Sequence, residues 1–373
     1  MAVYSPLLSR IPTIAVDLNP ATRQLVTGTE IYAREVGRRL GVAAPELNWV
    51  FYASRPIAGL GVDLVVLPFA RLWSQIRLPF EIASRRPDLF FTPSHVIPFA
   101  VRTKALTVVH DLAFERYPNA YRTAEREYLK LTTKWAARRC QLLIADSQAT
   151  KHDLVEIYDV PPERIRVVPL GGGEGRAHLG IQESSSPAKT GPAAAAMRKL
   201  GIDGEYVLQV GRIEVRKNQT AALAAVERIP GLTLVVVGSE RDQALATKLR
   251  ASASCRVLGR QDDATLEVLY ANARAVVVPS LYEGFGLPVL EAMARGKVVV
   301  AGRVSSLPEV GGDCVIYFDD PSNPALIKAA LETALQDEEL RRRLAAAGRT
   351  RAATFTWDRC AAGVVDVIRE LVA

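Results

Sequence analysis

The chain has 373 residues, 49% hydrophobic and 23% charged, which is the composition of a folded protein long enough for two domains. It lacks the run of roughly 18 apolar residues that a membrane-spanning helix needs, and its N-terminus lacks the pattern of a signal peptide, so we expect a cytoplasmic protein. The four cysteines and four histidines are scattered, which argues against a disulfide framework and a metal cluster.

Short apolar runs alternate with longer periodic segments, a pattern typical of parallel sheets covered by helices. In the first half, this pattern predicts strands at 13–17, 47–53, 64–67, 89–92, 105–110, 142–146 and 164–169. It predicts helices at 29–40 and 122–139. From residue 171 a stretch rich in Gly, Ser and Pro has no periodicity, which predicts a flexible linker at 171–200.

The second half repeats the alternation. The predicted strands are 206–210, 232–237, 255–258, 275–279, 298–301 and 315–318, and the predicted helices are 219–228, 241–251, 264–273, 287–295, 324–336, 338–353 and 357–372. The sequence therefore predicts an α/β protein with two Rossmann-like parallel-sheet domains facing across a cleft. Ligands of such sheets bind at the carboxyl ends of the strands.

The formal charge of +7 indicates a generally basic surface, or attraction to anionic lipid or to phosphorylated small molecules. The segment 71–86, RLWSQIRLPFEIASRR, mixes apolar side chains such as Trp73, Ile76 and Phe80 with four arginines. It is a candidate membrane-surface patch, although we expect Pro79 to interrupt any single helix. No nucleic-acid-binding motif accompanies the charge, so we expect no nucleic-acid partner.

The most informative stretch is 279–296, PSLYEGFGLPVLEAMARG, which reads as a strand end, a turn and a helix. Its glycines permit close approach of the backbone to a ligand, and the free N–H groups at the helix start favour an anion such as a diphosphate. Glu283 in the turn and Glu291 in the helix can accept hydrogen bonds from separate hydroxyls of one ligand. The alternative, a cap-like acid and an exposed helix residue, is less favoured in this strand–turn–helix context.

A basic loop follows the first strand of the second half, in the segment VGRIEVRKN at 210–218. Arg212 and Lys217 lie on the cleft side, where a guanidinium and an ammonium together can neutralise a pyrophosphate leaving group. We expect Arg216 to be a solvated loop residue, because Lys217 already fills that role. Neither the P-loop pattern nor the dinucleotide fingerprint is present.

Two weaker segments belong to the first half. His110 and Asp111 end the run ALTVVHD, and a histidine at the carboxyl end of a strand can hydrogen-bond a sugar hydroxyl across the cleft. The alternative is a strand-end histidine whose partners lie within the protein. In the segment LVTGTEIY, Gly28 and Thr29 can present backbone N–H groups to a phosphate.

In this order, these segments resemble the retaining glycosyltransferases of family four, which have the GT-B fold. The resemblance covers nearly the whole chain, and the E-x7-E segment at 283–291 is its most specific part. Supporting segments lie at 108–118, 145–171, 211–218 and 305–313, and the first and third of these look most like bacterial mannosyltransferases of surface-polysaccharide synthesis.

The resemblance implies a role for each candidate residue. Glu283 would touch the transferred sugar and Glu291 the ribose of the nucleotide, while Arg212 and Lys217 would hold the diphosphate. His110 would contact the donor sugar. The other implied donor-binding residues contribute backbone N–H groups or lie near the phosphate or base: Gly28, Thr29, Gly211, Gly259, Arg260, Gly284, Phe285, Gly286 and Leu287.

The resemblance also implies the domain organisation and the reaction. The last helix of the family crosses back to the first domain, so the expected domains are 1–170 plus 357–373 and 201–356. The expected reaction is retaining transfer from a nucleotide-diphosphate sugar, with GDP-mannose as the first choice and UDP-sugars open, to a glycan or lipid-linked acceptor. We expect no metal and no other cofactor, since the D-x-D motif by which other transferases hold a metal is absent.

Two other functions stay open at this point: a nucleotide-sugar epimerase or hydrolase of the same fold, and a catalytically silent nucleotide-sugar-binding partner. The chain departs from the family pattern in two places. The linker lacks the usual GVD, and the first loop reads GTEIY where many relatives carry a second glycine and an arginine. Both departures concern the acceptor side and the closure of the cleft. We also expect a peripheral place on the inner face of the plasma membrane.

Overall fold

Two parallel sheets form the core of the protein, and the computed structural model describes residues 10–23, 28–69, 72–173 and 197–373 of the chain. The strands of the first half are β1 to β7: Thr13–Asp17, Asn48–Ala53, Leu64–Val66, Leu89–Thr92, Lys104–Val109, Leu143–Ala145 and Ile165–Val167. The strands of the second half are β8 to β13: Glu205–Val210, Leu232–Val237, Cys255–Gly259, Ala275–Val278, Val299–Gly302 and Val315–Phe318.

Helices cover both sheets. In the first half they are α1 to α5: Gly28–Ala43, Arg77–Arg85, Ala113–Arg116, Thr123–Arg139 and Gln148–Tyr158. In the second half they are α6 to α13: Gln219–Val226, Gln243–Arg250, Asp263–Asn272, Leu287–Ala294, Leu307–Gly311, Pro324–Gln336, Glu338–Ala352 and Trp357–Val372. Among the described residues, no helix is both long enough and apolar enough to cross a bilayer.

Both sheets are doubly wound. The first has the order β3-β2-β1-β4-β5-β6-β7 and the second the order β10-β9-β8-β11-β12-β13, and all of their strand pairs are parallel. Strand order reverses between β1 and β4 in the first sheet and between β8 and β11 in the second. Crevices open at such switch points, so the fold itself marks the loops after these strands as ligand sites.

The predicted architecture of two Rossmann-like sheets is confirmed, and every predicted strand is present within two residues of its predicted bounds. One expectation is wrong. Pro79 does not interrupt the helix in segment 71–86, because it occupies the third position of α2, where its missing N–H has no intrahelical acceptor to lose. The helix α5 was not predicted. Its start is capped by Ser147, whose side chain accepts from Thr150 N.

The last helix, α13, packs on the first domain. Arg369 pairs with Glu46, and Lys104 Nζ donates to the carbonyl of Leu371 over 2.9 Å. Gly171, the first residue of the predicted linker, packs directly against the start of α13. A Cβ at this position would lie 2.3 Å from the backbone N of Trp357, so the contact requires glycine.

The predicted linker falls mostly outside the described residues, from 174 to 196. Its described ends are packed rather than loose. A Cβ at Gly173 would lie 1.7 Å from the carbonyl oxygen of Ala352, and Met197 is buried. The flexible-linker prediction therefore does not hold for the residues at either end.

Candidate functional site

The two most informative segments of the sequence meet at the switch point of the second sheet. The basic loop leaves β8, and the turn carrying Glu283 leaves β11, the strand paired with β8. Because the two strands are parallel neighbours, both loops emerge side by side at the carboxyl edge that faces the first domain.

Glu283 is the most tightly held side chain of this site, with 6% of its surface exposed. Lys217 Nζ donates to its Oε1 over 2.5 Å, and Ser280 Oγ donates to the same oxygen over 2.7 Å. Its backbone N donates to Ser305 Oγ over 2.9 Å. Burial by itself would raise the pKa of Glu283, but the charges of Lys217 and Arg216 outweigh it and hold that pKa below its usual value. The carboxylate is therefore ionised and fixed in orientation.

The expectation that Arg216 is solvated is wrong, since only 6% of its surface is exposed. Its Nη1 donates to the carbonyl of Tyr282 over 2.8 Å and lies 3.4 Å from Glu283 Oε2, and its Nη2 donates to Glu214 over 2.9 Å. The 3-10 turn at Val215–Lys217 directs this side chain under the Glu283 turn and leaves Val215 exposed instead. Its charge is neutralised inside the protein and is not available to a ligand.

Arg212 has the opposite environment in the same loop. It is partly buried, and its side chain makes no ion pair or hydrogen bond with any part of the chain that the structure describes. Its backbone is fixed, because Gln219 Nε2 donates to its carbonyl over 2.9 Å. Burial lowers the pKa of Lys217 below its usual value, and the charge of the paired Glu283 opposes this shift. Arg212 and Lys217 thus offer two cations beside the carboxylate, of which only Lys217 is already paired.

The start of α9 is a second candidate anion-binding element. Gly286 caps the helix at φ +106°, a conformation that favours glycine, and a Cβ there would lie 2.8 Å from Leu307. Within the described residues, the backbone N–H groups of residues 284–287 have no hydrogen-bond acceptor. Phe285 is buried against Phe355, which holds the turn in place. Free N–H groups at a helix start favour a phosphate or carboxylate.

Glu291 lies one turn further along α9, where it is partly buried and accepts a hydrogen bond from Tyr270 over 3.3 Å. Gly259 and Arg260 lie at the end of β10, two strands away from β8, with Gly259 at φ +65° and Arg260 exposed. These residues share the carboxyl edge with Glu283, but no described contact joins Gly259 or Arg260 to the Glu283 turn.

His110 belongs to the first domain, and both of its ring nitrogens already have partners. Nδ1 lies 2.7 Å from Asp146 Oδ2 and Nε2 lies 2.9 Å from the carbonyl of Pro93. Burial opposes protonation, but the Asp146 carboxylate outweighs it and raises the pKa of His110. Two acceptors facing one ring favour the imidazolium, which donates to both. The contact between His110 and a donor sugar therefore stays a prediction.

The turn around Glu283 also joins the two domains. A Cβ at Gly284 would lie 2.0 Å from the carbonyl oxygen of His110, so only glycine allows this approach. Ser147 Oγ donates to the carbonyl of Gly284 over 2.6 Å. Tyr282 Oη donates to Asp153 over 2.6 Å and accepts from Leu112 N over 3.2 Å. The cleft is therefore closed around the candidate site.

Further contacts across the cleft come from both sides. The Glu309 carboxylate accepts from the backbone N of Gln148 and of Ala149, at 2.7 Å each, and so caps α5 from the other domain. A Cβ at Gly28 would lie 3.4 Å from Leu287 Cδ1. The start of α1, with Gly28 and Thr29, thus faces the start of α9. Both helix starts are predicted to bind phosphate.

One cluster of potential metal ligands forms within the described ranges, at His152, Asp153 and Glu156 of α5. Both carboxylates are paired with the guanidinium of Arg116, whose Nε donates to Asp153 over 2.9 Å. Asp153 also accepts from Tyr282. These two carboxylates are therefore engaged in an ion pair with Arg116, and Asp153 also takes part in a contact between the domains.

Sequence reasoning missed several residues that hold the site. Ser280 and Ser305 hydrogen-bond the Glu283 residue, and Asp146 fixes the ring of His110. Ser280 carried a usable signal, since it stands two residues after the end of the strand β11 and three residues before Glu283. Arg216 carried none, because its burial depends on a partner 67 positions away.

Two sequence families match the chain, one over each half. Residues 26–171 match the family described as Glycosyltransferase Family 4, and residues 194–351 match Glycosyl transferases group 1. The chain belongs to the group 1 and family 4 glycosyltransferases. This glycosyltransferase has the GT-B fold.

Individual relatives agree with that assignment. The chain is 28% identical over 327 residues to an O-antigen chain mannosyltransferase B of Escherichia coli, covering 85% of this chain and 83% of that protein. It is 34% identical over 251 residues to a D-inositol 3-phosphate glycosyltransferase of Salinispora arenicola, covering 62% of this chain but only 55% of that protein. A crystal structure of Anabaena Alr3699/HepE in complex with UDP-glucose superposes with a TM-score of 0.74 at 17% identity, over 96% of this chain and 99% of that one.

Proposed function

We propose that this glycosyltransferase moves mannose from GDP-mannose to a glycan or lipid-linked acceptor, with retention of anomeric configuration and without a metal ion. The observation that carries the proposal is the ionised Glu283 carboxylate, held by Lys217 and Ser280. Beside it lie Arg212 and the N–H groups of the α9 start, which have no partner in the described part of the chain. A carboxylate for sugar hydroxyls and cations for a diphosphate stand together on one edge of the sheet.

The metal-free part of the proposal follows from the charges present. A leaving nucleoside diphosphate needs positive charge near its oxygens, which a metal supplies in many transferases. Here Arg212, Lys217 and the N–H groups of residues 284–287 provide donors at the same edge. A preorganised set of donors stabilises the departing diphosphate without further reorganisation.

Retention is proposed from the state of Glu283. Its Oε1 already receives hydrogen bonds from Lys217 and Ser280. This carboxylate is therefore better suited to accept a hydrogen bond from the sugar than to attack the anomeric carbon as a nucleophile. In the proposed step, the bond from the anomeric carbon to the diphosphate oxygen breaks and the bond to the acceptor oxygen forms on the same face. The acceptor proton passes to a diphosphate oxygen, and the nucleoside diphosphate leaves.

Mannose is proposed from similarity to the Escherichia coli mannosyltransferase, which matches most of this chain. The guanine nucleotide is the first choice from the sequence resemblance to bacterial mannosyltransferases. A UDP-sugar is the alternative donor, because a protein of the same fold carries UDP-glucose. A cytoplasmic place at the inner face of an anionic membrane, where lipid-linked acceptors are found, is part of the same proposal.

The first test is a thermal-shift screen of GDP, UDP, ADP and dTDP and their sugar forms, each with and without EDTA. A nucleotide present at about 100 times its Kd should add roughly 2.7 kcal/mol to the unfolding free energy. We expect GDP and GDP-mannose to stabilise selectively and EDTA to make no difference. Selective stabilisation by UDP compounds would reassign the base, and an EDTA-sensitive shift would refute the metal-free site.

The second test is product analysis with Lys217→Met and Glu283→Gln, and with Lys248→Met as a matched control on an exposed position of α7. Each site variant should lose at least about 3 kcal/mol of transition-state stabilisation, on the order of 10²-fold in rate, whereas the control should not change. NMR of the product should show the anomeric configuration of the donor. Rapid conversion of the donor without an acceptor would instead indicate an epimerase or hydrolase, and unchanged turnover in Glu283→Gln would remove the proposed carboxylate role. A wild type that binds nucleotide sugar but forms no product would indicate a catalytically silent partner.

A further inference from the structure

The switch point of the first sheet has no role in the proposed donor site, although its loops face the same cleft. Strand order reverses there between β1 and β4, and ligands of such sheets bind at this point. The loop after β4 carries His95, which makes none of the contacts described for the donor site. The neighbouring loop after β5 reaches the Glu283 turn, because a Cβ at Gly284 would lie 2.7 Å from Asp111 Cβ. His95 therefore belongs to the side of the cleft that lies opposite the donor site.

Hydrogen bonds to β5 and to its carboxyl end hold the loop after β4 in place. His110 Nε2 lies 2.9 Å from the carbonyl oxygen of Pro93. The carbonyl of Ser94, the next residue, accepts a hydrogen bond from Thr107 Oγ1. Both residues that precede His95 are thus tied to the neighbouring strand or its end. The position of His95 is therefore fixed by the same element that carries His110.

The ring of His95 has hydrogen-bonding capacity that the described part of the chain does not use. Its Nδ1 is buried without a hydrogen-bond partner, whereas Nε2, which also has no described partner, is not buried. The centroid of the Phe114 ring lies 6.1 Å from that of His95 and supports it on one side. Buried polar atoms without a partner are rare in folded proteins and call for an explanation. A partner for the accessible Nε2 has to come from a ligand or from water.

The His95 ring is neutral near pH 7. Burial and the neighbouring His110 lower the pKa of His95 to about 4, although the charge of Asp111 opposes the shift. A neutral imidazole carries one proton, on either of its two nitrogens. A buried N–H group without an acceptor is rarer than a buried acceptor without a donor, so we expect the proton on Nε2. His95 then presents an uncharged N–H donor at its accessible edge.

The charges around His95 fit an uncharged ligand. The Asp111 carboxylate is near enough to act on the pKa of His95, and it would repel a phosphate placed beside the ring. Two arginines in the same region are already paired, Arg116 with Asp153 and Arg241 with Glu125 across the cleft. Phosphate recognition relies on available Arg or Lys side chains, whereas a neutral donor and an acceptor satisfy a hydroxyl group. A neutral N–H beside a carboxylate is therefore a site for a hydroxyl group.

We propose that His95 binds the acceptor of the transfer, donating its Nε2–H to a hydroxyl group of an uncharged sugar. The inference rests on the proposed function, because it assigns the acceptor side of the same reaction. A ring that donates through Nε2 cannot also remove a proton through that atom. His95 therefore orients the acceptor, and the acceptor proton still passes to the diphosphate oxygen. The competing interpretation is a ring that only packs against Phe114.

The first test is NMR of the full chain with ¹⁵N-labelled histidine. The sequence has only four histidines, and the signal that His95→Gln removes is that of His95. We expect a neutral ring with its proton on Nε2 from about pH 8 to about pH 6. With GDP bound, the methyl glycosides of mannose, glucose, galactose and N-acetylglucosamine are then added in turn, each beside its 6-phosphate. At least one uncharged glycoside should shift the Nε2 signal more than its phosphate does.

The second test compares His95→Leu and His95→Gln with the matched control His152→Gln, at an exposed histidine of α5. Transfer to the uncharged glycoside should show a KM for the acceptor raised on the order of tenfold in His95→Leu, with most of the loss in KM rather than in kcat. Glutamine can place an amide N–H near the position of Nε2, so His95→Gln should recover most of this loss. The control should behave like wild type, and stabilisation by GDP should be the same in all four proteins.

The order of the two His95 variants separates binding from packing. If the ring only packs against Phe114, leucine should be tolerated better than the polar glutamine, and the thermal midpoints should fall with activity. That order would overturn the inference, as would a wild-type KM in His95→Leu or a lower KM for a phosphorylated glycoside than for its uncharged form. A charged ring near pH 7, or a proton on Nδ1, would also contradict it.

Failure of this inference differs from failure of the proposed function. If GDP stabilises the protein but no uncharged glycoside shifts the His95 signal or accepts a sugar, the acceptor site is wrong and the donor site stands. If an uncharged glycoside shifts the His95 signal but no donor is consumed, the sugar site stands and the transfer is refuted. If neither nucleotide nor glycoside binds, both proposals are refuted.

Discussion

Arg212 and Arg216 lie in one loop, yet the structure gives their charges opposite surroundings, and this difference can be measured. Arg216 is 6% exposed and its guanidinium donates over 2.8 Å to the carbonyl of Tyr282 and over 2.9 Å to Glu214. Arg212 has no described side-chain partner. We predict that Arg216→Met mainly destabilises the fold and that Arg212→Met mainly removes activity.

The magnitude for Arg216 follows from what its removal leaves behind. The Glu214 carboxylate is 5% exposed and would lose its partner, and the Tyr282 carbonyl would lose a charged donor. Removing one partner of a buried ion pair typically costs about 3–5 kcal/mol, because the remaining charge stays buried. Arg212→Met leaves no buried charge unpaired, so its effect on the unfolding free energy should stay within about 0.5 kcal/mol.

The assay is urea unfolding without nucleotide, followed by circular dichroism, together with kcat/KM for the proposed transfer. Arg212→Met should unfold at the wild-type midpoint and lose on the order of 10²-fold in kcat/KM, since a donor to the leaving diphosphate is lost. Arg216→Met should shift the midpoint to markedly lower urea. Equal stability losses in the two variants, or a wild-type midpoint for Arg216→Met, would refute the assignment of one arginine to the fold and the other to the ligand.

Three further predictions concern the closure of the cleft and its pH dependence. Gly284→Ala should lower kcat/KM by at least about 10²-fold, because the added Cβ would lie 2.0 Å from the His110 carbonyl and hold the domains apart, and small-angle scattering should show the opening. Glu309→Ala should weaken closure by about 1 kcal/mol, the typical contribution of a helix cap, and raise KM for the donor. Burial raises the pKa of Asp146, so this carboxyl group destabilises the fold as pH rises above its unfolded pKa of about 3.9. Because the folded pKa of His110 is also raised, protonated His110 should contribute stability below its unfolded pKa of about 6.5 and lose that contribution as pH rises through the folded pKa. Unfolding midpoints of His110→Gln should lack this pH dependence, and an unchanged pH profile would argue against the charged pair.

The fold was predictable from local patterns. Strands such as β1, β4, β9 and β13 were placed at their observed bounds because a buried parallel strand is a short apolar run bounded by polar or turn residues. The helix α2 was misjudged for a physical reason. Proline disrupts a helix interior by removing a hydrogen bond, but Pro79 lies in the first turn, where no such bond exists.

The candidate site was predictable only where its residues are close in sequence. Glu283 and the glycines that follow it form one segment, so their chemistry could be read together. The burial of Arg216 depends on Glu283 and Tyr282, which lie on another loop, and the partners of His110 come from the ends of two other strands. The strand order of the sheets determines which loops lie next to each other, and a single sequence does not reveal that order.

The strand order also predicts that donor binding and cleft closure are linked in this glycosyltransferase. Three consecutive residues after β11 serve both: Glu283 holds Lys217, while Tyr282 and Gly284 on either side contact the first domain. A donor that draws Lys217 toward its diphosphate changes the partner of Glu283 and so acts on the same turn that closes the cleft. Contacts made only in the closed state favour that state by their differential free energy. The closed cleft and the occupied donor site should therefore stabilise each other, and variants of Tyr282 should weaken nucleotide binding without touching the nucleotide.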